Sequence, residues 1–124
     1  MNVVDSSGWL EYFADESNAD FFAPAIENAA DLVVPTISIY EVFRRIHQQR
    51  GEDAALRAIT VMMQSHVVGL DTALALNAAK ISLNLKIPMA DSIILATARA
   101  YDATLWTQDE HFKHVADVRY VEKR

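Results

Sequence analysis

Cysteine is absent from the 124-residue chain. That excludes a disulfide framework, a thiolate zinc site and a cysteine nucleophile, and it fits a reducing compartment. Glycine and proline number only three each, too few for a fibrous or low-complexity chain. No apolar run approaches the roughly 20 residues that a transmembrane helix needs. The opening Met1-Asn2-Val3-Val4-Asp5 lacks the basic segment that begins a secretory signal. A cytoplasmic protein with no membrane partner is therefore expected. Basic residues are outnumbered, 11 against 17 acidic, giving a formal net charge of −6. That balance weighs against a phosphate backbone as partner, although where the acids lie matters more than their sum. There is no repeat and no Ser/Gly/Pro-rich linker. With 52% hydrophobic residues, residues 1–124 are expected to form a single domain with a real core.

Short β-branched runs alternate with helix-like segments. The runs are Asn2 to Asp5, Leu32 to Pro35, His66 to Leu70, Thr104 to Thr107 and, more weakly, Val118 to Val121. They lack clean polar alternation, as strands covered on both faces do. Between them, Ile39, Phe43 and Ile46 recur at helical spacing up to Gly51, and Ala55, Ile59, Met62 and Met63 mark a second helix. Asp71 and Thr72 can cap a third with the stripe Leu74, Ala78, Ile81 and Leu85. A fourth follows Pro88 through Ile93, Ile94, Thr97 and Tyr101. Residues 6–30 hold one or two more, with Pro24 at the start or bend of the second. This alternation predicts an α/β fold, a three-layer α/β/α sandwich around a mainly parallel sheet of four or five strands.

In such sheets ligands bind beyond the carboxyl ends of the strands, and acids stand at those places. Asp5 closes the first run, Asp109 follows the fourth, Glu41 lies one turn into the helix after the second, and Asp91 falls in the first turn after Pro88. Each has an ordinary structural explanation. Ser38-x-x-Glu41 and Thr107-x-x-Glu110 match capping boxes, Glu41 can pair with Arg45, Asp91 suits a helix dipole, and Asp5 can cap the helix beginning at Ser6. Convergence of all four on one sheet edge has no such explanation, because clustered carboxylates repel without a cation among them. Oxygen ligands with no Cys favour Mg²⁺ or Mn²⁺ over zinc. An acidic cluster of that kind supports phosphodiester hydrolysis.

The chain resembles the PIN-domain nucleases, and among them the VapC-like ribonuclease toxins of type II toxin–antitoxin pairs. The resemblance is carried by Val3-Val4-Asp5-Ser6-Ser7-Gly8-Trp9, by Thr36-Ile37-Ser38-Ile39-Tyr40-Glu41-Val42, by the stretch from Ile87 to Ala98, and by Leu105-Trp106-Thr107-Gln108-Asp109-Glu110-His111-Phe112. It implies a PIN-like fold and a metal-dependent endoribonuclease that leaves 5′-phosphate and 3′-hydroxyl ends. It also implies Mg²⁺ (with Mn²⁺ as substitute) as cofactor, a VapB-like antitoxin as partner, and a homodimer. Carried over, Asp5, Glu41, Asp91 and Asp109 form the catalytic, metal-binding cluster, with Ser6 and Thr107 as polar supports. The closing motif often carries another acid just before its Phe, and His111 stands there instead.

Other residues admit two interpretations. Arg44, Arg45, Arg50 and Arg57 hold four of the 11 basic residues, either as a rim guiding RNA phosphates or as a solvated helix face. His111 and His114 are spaced for a weak transition-metal site or are simply exposed. Trp9, Trp106 and Met62-Met63 are expected in core or interface. Leu10, Tyr12, Phe13, Phe21 and Phe22 supply apolar mass for a subunit or antitoxin interface. Two alternatives remain for function. One is a catalytically silent PIN-like protein that works by partner binding. The other is a receiver-type phosphoacceptor domain with Asp71 as acceptor, which lacks the expected acid pair and Lys.

Overall fold

The computed structural model describes residues 1–124. Five strands form β1 (Asn2–Val4), β2 (Val33–Pro35), β3 (His66–Val68), β4 (Thr104–Thr107) and β5 (Val118–Tyr120). All paired strands are parallel: β1 with β4, β4 with β5, and β2 with β3. A parallel bridge between Asn2 and Leu32 joins the two groups. The resulting order is β3-β2-β1-β4-β5. Six helices connect them: α1 (Ser6–Phe13), α2 (Ala19–Ile26), α3 (Thr36–Arg50), α4 (Glu52–Met62), α5 (Thr72–Leu85) and α6 (Met89–Ala100).

Period-two alternation along the strands divides the core in two. Val3, Val33 and Leu105 point to one face, where they meet Leu74, Ala78 and Ile81 of α5, Ile94 of α6 and Phe112. Val4, Val34 and Trp106 point to the other, against Trp9, Phe22, Val42, Ala55 and Met62 of α1 to α4. The three layers expected from the sequence are thus present, each sheet face buried by helices. No single helix is long and apolar enough to cross a membrane.

The helix boundaries have local causes. Gly51, at φ 90°, adopts a conformation that side chains disfavour, and it separates α3 from α4. Gly8 lies in α1 where a Cβ would come within 2.8 Å of Val4 and 2.6 Å of Phe22, so its lack of a side chain lets α1 close on β1 and α2.

Several expectations shift. The third run ends at Val68, with Gly69 and Leu70 exposed. Pro24 sits inside α2, near its end. Leu85 is 40% exposed and Met63 61% exposed, so both lie off their helices' buried stripes. Tyr101 falls just past the end of α6. Of the five apolar residues expected at an interface, Phe22 is fully buried. Leu10, Tyr12, Phe13 and Phe21 pack half-buried on the same core, with Phe13 stacked on Trp9 and Phe21 against Trp106. That mass is used largely inside the molecule.

Candidate metal and nuclease site

Parallel strands deliver their carboxyl ends to one edge, and the neighbours β1 and β4 bring Asp5 and Asp109 there together. Asp5 still continues the ladder, donating its N–H to the Trp106 carbonyl at 3.0 Å, before the chain turns into α1. Glu41 comes from α3 and Asp91 from the first turn of α6. All four line one cleft of about 700 Å³.

Asp5 is 2% exposed. Its Oδ2 accepts hydrogen bonds from the hydroxyls of Ser7 and Thr107, both at 2.8 Å. Burial, offset in part by these bonds and reinforced by the charges of Asp109 and Glu41, lifts its pKa to about 6. The Asp91 side chain is 13% exposed. Burial, together with Asp109 and Asp5, lifts it to about 7, against the opposing pull of His111. Glu41 is held by the Ser6 hydroxyl, which donates to Oε1 at 2.7 Å. Thr107 Oγ1 also accepts the Asp109 N–H at 2.9 Å. One hydroxyl therefore ties Asp5 to the backbone of the Asp109 turn.

The local explanations fail for two of the four acids, Asp5 and Glu41. Asp5 stands at the N-cap of α1 without a side-chain capping bond. Helix α3 begins at Thr36, so Ser38 lies inside it, buried, and no capping box forms with Glu41. Glu41 pairs with Ser6, and no ion pair to Arg45 is formed. Asp91 does occupy a first helical turn, but there it faces His111 and other acids. Asp109 does act as a cap. Its carboxylate caps the short turn Glu110–Phe112 by accepting from His111 N at 3.0 Å, a cap other than the Thr107–Glu110 box expected.

His111, expected only as a stand-in for a motif acid or as half of a weak site with His114, joins this group. Its Nδ1 lies 2.9 Å from Asp91 Oδ2 and 3.0 Å from Asp109 Oδ1. Burial works against its charged form, yet the charges and hydrogen bonds of Asp109 and Asp91 outweigh it and raise the imidazole pKa. His114 takes no part: the group able to hold a metal ion is Asp91, Asp109 and His111. Buried carboxylates that resist ionisation, first through desolvation and then through one another's charge, with an imidazole beside them, are a donor set that fits a divalent cation.

Arg44, Arg45 and Arg50 line the same cleft, joined by Lys123 and Arg124 of the C-terminal tail, while Arg57 does not. The tail is fastened by Asn18, whose Nδ2 donates to the Glu122 carbonyl at 3.0 Å and to Gln108 Oε1 at 2.9 Å. Nothing local in the sequence marks Asn18, Gln108 or the tail, because their partners lie about 90 or more positions away. Asp71, the candidate phosphoacceptor, follows the edge strand β3 and caps α5 through Leu74 N at 2.8 Å. It is a structural residue, and the receiver reading falls with it.

Comparisons with known proteins agree with this architecture. No curated protein matches the sequence. Among solved structures, the chain is similar to a toxin–antitoxin complex from Klebsiella pneumoniae, with a TM-score of 0.81, 18% identity and 95% of each chain covered. It is similar to a sarcin-ricin loop cleaving VapC toxin from Mycobacterium tuberculosis, with a TM-score of 0.81, 16% identity, and 99% of this chain and 100% of that one covered. The FitAcB structure from Neisseria gonorrhoeae follows at a TM-score of 0.73 and 20% identity, covering 98% and 97%. The PIN domain model matches residues 3–118. With nearly its whole length matched, the chain belongs to the PIN domain family.

Proposed function

We propose that this protein is a metal-dependent endoribonuclease toxin of the VapC type, acting in the cytoplasm and neutralised by a VapB-like antitoxin. The observation that carries the activity is the meeting of Asp5, Glu41, Asp91 and Asp109, from four separate segments, in one cleft. The named relatives, which include a toxin–antitoxin complex and a sarcin-ricin loop cleaving toxin, support the biological setting.

In this reading Asp5, Asp91 and Asp109, with Glu41, would hold Mg²⁺ or Mn²⁺. When bound, such an ion would supply an activated water and offset charge on the phosphoryl oxygens. The chain's own residues prepare the place. Ser7 and Thr107 bond only one oxygen of Asp5, so Oδ1 carries no hydrogen bond and is left for a cation. Ser6 steadies Glu41. Arg44 and Arg45, exposed on α3 at the cleft, draw the RNA backbone toward an otherwise acidic floor. A single-stranded loop of a structured RNA suits an open cleft of this kind, because its backbone is accessible. The protein acts as a homodimer, which sedimentation at micromolar concentration checks; a monomer there would remove that element.

The decisive experiment is cleavage of total RNA by the purified protein with Mg²⁺, with Mn²⁺ and with EDTA, beside Asp5→Ala. Cleavage is expected with metal, and none with EDTA or with the variant. Folded protein that cleaves under no metal condition would leave the silent, partner-binding alternative.

A further inference from the structure

We propose that His111 is a direct ligand of the divalent ion held by Asp91 and Asp109, so that this site takes Mn²⁺ in preference to Mg²⁺. The inference rests on the metal-dependent reading above and specifies its ion.

An imidazole Nδ1 carries one hydrogen or one lone pair, enough for a single hydrogen-bonded partner. In this structure it stands almost equally close to two, 2.9 Å from Asp91 Oδ2 and 3.0 Å from Asp109 Oδ1. All three ligand atoms lie within 4.8 Å of one another. Around a six-coordinate ion with bonds of about 2.1 Å, adjacent ligand atoms are about 3.0 Å apart. Around a tetrahedral zinc with bonds of about 2.0 Å they are about 3.3 Å apart. The observed separations are those of two edges of an octahedron that share the imidazole nitrogen as a corner.

The backbone that carries the imidazole is also fixed before any ion arrives. His111 N donates to Asp109 Oδ1, Asp109 N donates to Thr107 Oγ1, and the next residue, Phe112, is fully buried. Asp91 sits on the opening turn of α6, whose residues Ser92 to Ala98 are buried. Both sides of the triad are therefore built on fixed elements. Mg²⁺ prefers an all-oxygen shell with several waters, whereas an imidazole adds affinity for first-row transition ions.

The test titrates Mn²⁺ into the full-length, metal-free protein and reads directly bound nitrogen by pulsed electron paramagnetic resonance. Competition between Mn²⁺ and Mg²⁺ is measured alongside. A nitrogen coupling is expected in the wild type, lost in His111→Asn and kept in His114→Asn. Mn²⁺ affinity is expected to fall roughly tenfold or more in His111→Asn, and Mg²⁺ affinity by less. His111→Asp, which replaces nitrogen by oxygen, is expected to bind Mn²⁺ without the coupling and with a smaller preference over Mg²⁺. Should a variant fail to fold, the wild-type spectrum with isotopically labelled histidine decides the point. Mn²⁺ bound without nitrogen coupling in the wild type overturns the role of His111 and leaves the metal-dependent nuclease standing. Failure to bind either ion overturns both.

Discussion

At the start of α5, Asp71 does what an acid before a helix ordinarily does: its carboxylate accepts a hydrogen bond from Leu74 N. At the start of α1, Asp5 occupies the same kind of position, makes no such bond, and is buried beside Asp109 and Glu41 with its pKa lifted to about 6. Asp71 stabilises its helix by about 1 kcal/mol. Asp5 in its ionised form costs the fold on the order of 3 kcal/mol, the equivalent of its displacement from 3.8. The contrast extends to the elements around them. The α5 stripe Leu74, Ala78 and Ile81 obeys its periodicity, while at the site edge Ser38 matches a capping signal and caps nothing. Asp5, which stands where a cap would and does not cap, is bonded instead by Ser7 and Thr107.

The largest way to sharpen this contrast is to neutralise each acid in turn. Asp5→Asn is expected to reduce RNA cleavage a hundredfold or more, the scale of losing a preorganised group at a reacting centre. Asp71→Ala is expected to leave cleavage unchanged. Equal losses in the two variants, measured at matched folded fraction, would erase the distinction.

Next in size is packing beneath the site. Gly8→Ala, which pushes a methyl into Phe22 and Val4, is expected to cost about 1–3 kcal/mol in denaturant unfolding despite alanine's better helix propensity. A neutral result would show that α1 can move off β1.

pH separates the regions as well. Folded Asp5 and Asp91 keep protons that the unfolded chain releases from about pH 4 upward, and they release them only near 6 and 7. Folded protein then binds more protons than unfolded, so the stability of metal-free protein is expected to fall as pH rises through that window. His111, with its raised pKa, loses its contribution in the same direction as it deprotonates. Urea midpoints at pH 5 and pH 8 measure this, and a midpoint that rises with pH contradicts it. Asp71→Ala is expected to lower the unfolding free energy alike at both pH values, by about 1 kcal/mol.

The smallest effect is electrostatic. Replacing Arg44 and Arg45 by Ala in the Asp5→Asn background is expected to flatten the log–log salt dependence of RNA binding by about 1.4, two phosphates at single-strand density. An unchanged slope returns both arginines to the role of a solvated helix face.

Layer order, the parallel sheet and the four acids were legible because they lie in short apolar runs and just beyond them, where strand and ligand rules act locally. Asp5 and Asp109 follow two runs that belong to one parallel sheet, which is enough to bring them together. Leu85 and Met63 depart from the pattern because periodicity continues to the end of a helix while burial does not. His111 and its two carboxylates were missed as a triad because Asp91 is 20 positions away and the nearer His114 offered a simpler pairing. The tail clamp through Asn18 depends on contacts across more than 100 positions, which no local pattern encodes.

The central claim is that the acids at the sheet edge are crowded at a cost to folding that a divalent ion relieves. Thermal unfolding of wild type and Asp5→Asn at pH 8, with and without Mn²⁺, tests it most directly. The account predicts that without metal Asp5→Asn melts several degrees above wild type. It also predicts that Mn²⁺ raises the wild type and moves the variant far less. A wild type indifferent to Mn²⁺, or an Asp5→Asn protein less stable than its parent without metal, would contradict it.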